Sequence, residues 1–338
     1  MLDLKEELKK VQDSFSRISD IVYQTPILTS TNIDKVLNAQ IFFKAECLQE
    51  TGSFKLRGAS SAISALSNEE KLRGVVAFSS GNHAQGIAYA SRELGTSAKI
   101  VMPFDAPKIK IQKTQEYGAE VIFYDRDKDN REDIGSSIAL EEERVLIKPF
   151  DNFNVIYGQG TAALEVMNEV DIQFDMSVIC CSGGGLAAGT GIVLKNRLSD
   201  CQLYTAEPKD WNDHEKSFLA KNIVSIRDGN HGICDALENP QPGEITFRIN
   251  AALNTKGLSA DDGYIIEAMK ILYDEFDLVV EPSGAIGLAC ILQNKQICQN
   301  KKVFTILSGG NIDANRYNEL LGIAVSYTHL RAHETACN

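Results

Sequence analysis

Residues 75–94 read VVAFSSGNHAQGIAYASREL, and this stretch decides the fold. Val75, Val76, Ala77 and Phe78 form an unbroken apolar run, the composition of a strand buried on both faces. A polar, glycine-containing turn follows: Ser79, Ser80, Gly81, Asn82 and His83. From Gln85 to Leu94 the pattern turns helical. Strand, polar turn, helix is the unit from which parallel sheets with right-handed crossovers are built.

Working outward, the alternation repeats. Residues 99–102, 121–124, 177–181, 203–206, 278–280 and 303–307 read as further strands, with helical patterns over 109–117, 161–169 and 186–198. Ligands of such sheets bind beyond the carboxyl ends of strands. Polar and glycine-rich residues stand there: SSGN after the first strand, SGGG after the fourth, EP after the fifth, EPSG after the sixth and SGGN after the seventh. Endings spread over the whole chain imply one shared cleft. The strands at 75–124 form a compact group, read as a smaller lobe. Its connections carry a basic segment, PKIKIQK (107–113), and an acidic one, DRDKDNRED (125–133), both read as solvated surface.

The 338 residues suffice for two modest lobes, and the composition (43% hydrophobic, 24% charged) is that of an ordinary globular protein. A net charge of -12 repels phosphate backbones and argues against nucleic acid as a partner. Leu4, Leu8, Val11 and Phe15 recur at helical spacing between charges, which makes the N-terminus an amphipathic helix and not a signal peptide. No apolar run is long enough to cross a membrane, so a cytoplasmic protein is expected. The eight cysteines contain no C-x-x-C pair and read as buried reduced thiols. Residues 322–338, with His329 and His333 at i and i+4, lack any apolar period and read as a disordered or non-native tail.

Three segments carry chemistry. Lys55 stands between Phe54 and Leu56; burial lowers a lysine's pKa, and a neutral amine forms a Schiff base. The polar turn at 79–83 opens a helix and offers free backbone N–H groups to a carboxylate or phosphate, although a single N-cap residue explains part of it. Gly183, Gly184 and Gly185 precede another helix and allow close approach to a phosphate. Gly183, Gly185 and Gly189, with Glu207 further on, also imitate a dinucleotide fingerprint, with spacing off by one residue.

Together, SFKLRGA (53–59), SSGNHAQG (79–86), MPFDAPKIK (102–110), GQGT (158–161), SGGGLAAG (182–189), EPSGA (281–285) and LSGGN (307–311) resemble the serine/threonine dehydratase and serine racemase family. The resemblance runs from about Thr25 to about Tyr317 and implies the tryptophan-synthase-β-like fold of pyridoxal-phosphate enzymes: an α/β, two-lobed, parallel-sheet-based protein with a large cofactor domain (1–73 and 147–321) and a small mobile domain (74–146). A homodimer is typical of the family.

The resemblance also implies residue roles. Lys55 would hold pyridoxal 5'-phosphate and shuttle the Cα proton. Phe54 would pack on the cofactor ring and Asn82 would bond its phenolic oxygen. Ser79, Ser80, Gly81, Asn82 and His83 would hold the substrate carboxylate. Gly183, Gly184, Gly185 and Leu186 would take the cofactor phosphate, with Ser182 where the family usually has a fourth glycine. Glu281 belongs to the implied cofactor set, and Ser308 would face the pyridine nitrogen. A neutral hydroxyl there does not keep that nitrogen protonated, which favours elimination over a long-lived carbanion. The implied reaction is loss of water and ammonia from a threonine- or serine-like amino acid, with serine racemase or 3-hydroxyaspartate dehydratase as alternatives. Glu207, the Trp211 carbonyl and Asp213 would hold Mg²⁺, Ca²⁺ or Mn²⁺, hard cations suited to oxygen ligands. Ser80 stands where racemases carry a second acid/base; Phe150 suits threonine's methyl group. A silent cofactor-binding sensor and a nicotinamide-dependent oxidoreductase are the competing classes.

Overall fold

The computed structural model describes residues 2–226 and 231–323. Its strands are β1 Ile27–Leu28, β2 Gln40–Lys44, β3 Val75–Phe78, β4 Ala98–Pro103, β5 Glu120–Tyr124, β6 Val145–Leu146, β7 Met176–Cys180, β8 Gln202–Pro208, β9 Lys256–Ala260 and β10 Lys302–Ile306. The helices are α1 Leu4–Ile18, α2 Thr31–Leu37, α3 Lys55–Ser64, α4 Asn68–Arg73, α5 Asn82–Glu93, α6 Lys108–Glu116, α7 Arg131–Glu141, α8 Phe153–Glu169, α9 Gly185–Arg197, α10 Asp213–Ala220, α11 Glu244–Ala252, α12 Asp262–Phe276, α13 Pro282–Gln293 and α14 Ala314–Leu321.

Two sheets result, a six-stranded one in the order β1-β2-β10-β7-β8-β9 and a four-stranded one in the order β5-β4-β3-β6. Every pairing is parallel except β1 with β2. In the larger sheet this puts the carboxyl ends of β2, β10, β7 and β8 at one edge, so the segments that follow them converge in space.

Helix packing explains several glycines without invoking chemistry. A Cβ at Gly58 would sit 2.4 Å from the Gln159 side chain, and one at Gly189 would sit 2.3 Å from the Ile156 carbonyl. Thus α3, α8 and α9 approach each other nearly backbone to backbone. The third glycine of the apparent dinucleotide fingerprint is a packing residue. One apolar cluster joins Leu56, Ala59 and Ile63 of α3 to Val75, Ala77 and Ile87, linking the helix after Lys55 to the smaller sheet.

Two expectations are corrected. Residues 278–280 form no strand; they are an extended lead into α13, whose N-cap is Glu281. The Glu207–Pro208 pair lies inside β8 and not after it. The edge strand β9 (KGLSA) and the strand β2 (QIFFK) were not anticipated. Seven cysteines are buried and free as expected; Cys337 lies outside the described residues. So do His329, His333 and the expected tail beyond Ile323. Among the described residues no helix is long and apolar enough to cross a membrane.

Candidate active site

The convergent strand ends enclose a cavity of roughly 180 Å³. Lys55 begins α3 and is fixed by its neighbours: Ser53 bridges Gly309, and the Phe54 N–H donates to the Ser308 carbonyl at 3.0 Å. This ties the lysine segment to the loop after β10. The Lys55 Nζ donates to the Pro149 carbonyl at 2.9 Å and lies 5.2 Å from the Phe54 ring centroid. Burial pushes its pKa down to about 8, so a useful fraction is neutral amine at physiological pH.

Opposite stands the glycine turn at the start of α9. Gly184 has φ +94°, a conformation that favours glycine, and a Cβ there would lie 2.6 Å from the His214 ring. A Cβ at Gly183 would lie 2.2 Å from the Phe150 ring. The first intrahelical bond shown after Gly184 is from Ala188 to the Gly184 carbonyl at 2.9 Å. The N–H groups of Gly185, Leu186 and Ala187 therefore have no acceptor within the helix, and with the helix dipole they suit a phosphate.

The turn after β3 forms another wall. Asn82 is held at both ends: its Nδ2 donates to Glu281 Oε1 at 2.6 Å, and its Oδ1 accepts from Asn311 Nδ2 at 2.9 Å. Burial raises Glu281 to about 7 against the opposing field of Lys110. His83 Nε2 lies 3.2 Å from the Ile147 carbonyl, and burial, reinforced by Lys55, holds its pKa near 3. His83 is neutral throughout the physiological range.

Phe54, Lys55, Ser79, Ser80, Gly81, Asn82, His83, Gly183, Gly184, Gly185, Leu186, Glu281 and Ser308 all line this one cavity. Glu207, Trp211 and Asp213 do not; they gather behind it, at the end of β8 and the start of α10. Glu207 accepts from the His214 and Glu215 backbone N–H groups at 2.8 and 2.9 Å. Burial, and then the Asp213 charge, push Glu207 well above the usual carboxylate range. Both Asp213 carboxylate oxygens are buried without a hydrogen-bond partner outside their own residue. Two buried acids with unmet acceptor capacity fit a cation. Among the described residues no group of three or more His, Cys, Asp or Glu gathers into a metal cluster.

Sequence reasoning missed part of the wall. Lys110 and Arg131, read as solvated surface within 107–113 and 125–133, face the cavity, as do Asp235, Glu238 and Asn239. The smaller sheet turns those two connections inward, and nothing in their composition signals this.

A partly neutral lysine, a phosphate-suited helix start and a carboxylate-suited turn gather at parallel strand ends, the arrangement of a cofactor enzyme of the open α/β type. The chain belongs to the pyridoxal-phosphate dependent enzyme family, whose model matches residues 18–309. It is 41% identical over 311 residues to the L-threo-3-hydroxyaspartate ammonia-lyase of Saccharomyces cerevisiae, covering 92% of this chain and 95% of that one. It is 39% identical to the serine racemase of Schizosaccharomyces pombe, covering 92% and 96%. The solved T.th. threonine deaminase superposes with a TM-score of 0.85 at 36% identity, covering 90% of this chain and 98% of that one.

Proposed function

We propose that this protein is a pyridoxal-phosphate-dependent ammonia-lyase, converting a small β-hydroxy amino acid such as threonine or serine to a 2-oxo acid and ammonia. The placement of Lys55 carries the reading: a buried amine with its pKa near 8 facing the glycine turn of α9. Bound there, pyridoxal phosphate supplies the electron-withdrawing ring that acidifies Cα and promotes loss of the β-hydroxyl.

The chain's own residues do the rest. The N–H groups that open α9 bind the phosphate, and Ser308 offers a neutral partner to the ring nitrogen. The turn at 79–83 receives the substrate carboxylate. Asn82, fixed by Glu281 and Asn311, orients the ring edge. The Lys55 amine takes the Cα proton, since its lowered pKa leaves it free to accept one. Water lost from Cα and Cβ leaves an enamine, whose imine tautomer hydrolyses to the oxo acid and ammonia.

Serine racemase chemistry is the second reading, and Ser80 favours it. Ser80 lines the same cavity as Lys55, and a proton donor on the face of Cα away from the lysine would permit inversion. A divalent ion between Glu207, the Trp211 carbonyl and Asp213 belongs to either reading; it would brace α10, whose His214 packs under Gly184. Closure of residues 74–146 as a small lobe, a homodimer and a cytoplasmic setting complete the proposal.

The test is optical. Protein purified with the cofactor is expected to show visible absorbance that borohydride bleaches and that Lys55→Ala lacks. Colourless protein after saturation with pyridoxal phosphate would sink the reading.

A further inference from the structure

The glycine turn that opens α9 is held from behind. Between adjacent glycines a peptide plane turns easily, because no Cβ restrains it. The carbonyls of Gly183 and Gly184 are nevertheless pinned, and by side chains of a single helix. The Thr246 hydroxyl donates to the Gly183 carbonyl at 2.5 Å, and Asn250 Nδ2 donates to the Gly184 carbonyl at 3.2 Å. Thr246 and Asn250 stand four residues apart on α11 and so share one face of it. Both are fully buried, and neither lines the cavity.

Ordinary packing does not account for this pair. A helical threonine commonly satisfies its hydroxyl on the carbonyl three or four residues back. That carbonyl, of Gly243, lies 3.1 Å from the Thr246 hydroxyl, yet the Gly183 carbonyl is the nearer acceptor. A Cβ at Gly184 would come within 2.9 Å of the same hydroxyl, so the missing side chain makes room for it. Asn250 leaves its Oδ1 buried without a partner while its amide N–H serves the turn. The helix is anchored in turn. Its N-cap, Gly243, has no side chain, and Asp151 Oδ1 accepts instead from the Ile245 and Thr246 N–H groups at 2.8 and 3.3 Å. Asp151 follows Pro149, whose carbonyl takes the Lys55 bond, and Phe150, whose ring lies against Gly183. Three consecutive residues thus tie the lysine, the glycine turn and α11 together.

In a trans peptide the carbonyl of one residue and the N–H of the next point in opposite directions. Carbonyls drawn toward α11 therefore send the Gly184 and Gly185 N–H groups away from it. We infer that Thr246 and Asn250 are positioning residues, which aim these two N–H groups at the cofactor phosphate without touching it. Thr246 carries the larger share. Without Asn250 the Gly184 carbonyl keeps the Ala188 N–H at 2.9 Å, whereas without the Thr246 hydroxyl the Gly183 carbonyl keeps the longer bond from the Gly243 N–H at 3.2 Å. The inference rests on the cofactor reading and holds whichever amino acid is consumed.

The experiment titrates full-length protein, freed of cofactor, with pyridoxal 5'-phosphate and with pyridoxal, which lacks the phosphate, and follows visible absorbance. Expected for Thr246→Val is a roughly ten-fold loss of affinity for pyridoxal 5'-phosphate, with affinity for pyridoxal changed less than about two-fold. Asn250→Leu shows a smaller loss of the same kind, and Thr246→Ser, which restores the hydroxyl, returns the ratio of the two affinities to that of wild type. Inorganic phosphate is expected to raise the melting temperature of cofactor-free wild type and to do so less in Thr246→Val. Retained pyridoxal binding shows that the variant is folded around Lys55. If circular dichroism shows Thr246→Val to be unfolded, the same ratio in Asn250→Leu decides. An unchanged ratio, whether both affinities fall together or neither falls, would overturn the inference. So would a Thr246→Ser protein that behaves like Thr246→Val. Wild type that binds neither compound would sink the inference together with the cofactor reading.

Discussion

Lys55 is ordinary as a letter and unusual as a group. What changes it is burial: Phe54 lies beside it and a carbonyl stands where an anion would otherwise stabilise the charge, while Cys180 acts in the opposite sense. Because the neutral amine is the reactive form, uptake of pyridoxal phosphate by the apoprotein is expected to accelerate with pH around a midpoint near 8. Stopped-flow absorbance from about pH 6.5 to about 10 measures this directly. A midpoint above about 10, that of free lysine, would show the amine to be solvated. The residue scale is also where the sequence was most and least legible. Lys55, Asn82, Ser308 and the glycines stand in motifs at strand ends, and all of them line the one cavity. Arg131 and Lys110 sit among other charges, and one-dimensional patterning does not distinguish a charge facing water from one facing a cavity.

At the scale of elements, α3 carries the lysine and Arg57 anchors α3. The Arg57 guanidinium is fully buried and binds Glu46 through Nε at 2.7 Å and Glu165 through Nη1 at 2.7 Å. Lys44 completes the cluster by pairing with Glu165 at 2.6 Å. Two cations and two anions cancel, but none tolerates losing its partner in a dry interior. Arg57→Met is expected to cost about 3–5 kcal/mol by stranding Glu46 and leaving Glu165 to Lys44 alone, seen as a lower midpoint in urea. A shift below about 1 kcal/mol would mean that water reaches the cluster. The field of Arg57 overrides burial and holds Glu46 below the usual carboxylate range. The stability contributed by this lowered pKa is therefore complete above about 4.5, the unperturbed value, and is lost as pH falls through the folded one. The elements read correctly are those with unbroken apolar runs, such as β3 and β7. The edge strand β9 was missed because KGLSA has one large apolar residue and is largely unburied. Residues 278–280 were misread because an extended lead into a buried helix has a strand's composition without a strand's partners.

At the scale of the molecule, one apolar cluster joins the smaller sheet to α3 and α5, so the helix that begins at Lys55 is packed against that sheet. The paired acids stand behind the cavity. Asp213 is buried without a partner beyond its own backbone, and α10 supports the glycine turn through His214. Magnesium is expected to raise the melting temperature of the metal-stripped protein, and Asp213→Asn is expected to abolish the rise. An equal rise in the variant would place the ion elsewhere. The broad architecture was legible because alternation of strand and helix leaves few topologies. The chemistry was legible because its residues cluster at strand ends. What composition does not encode is which surface loops a second sheet folds back over the site.

The central claim is that Lys55 drives elimination from a β-hydroxy amino acid. The most direct measurement is to incubate the cofactor-loaded protein with serine, threonine and 3-hydroxyaspartate and to quantify 2-oxo acid and ammonia. Equal amounts of the two products are expected from at least one substrate, and none from Lys55→Ala. Ammonia from none of them, or undiminished turnover by Lys55→Ala, would contradict it.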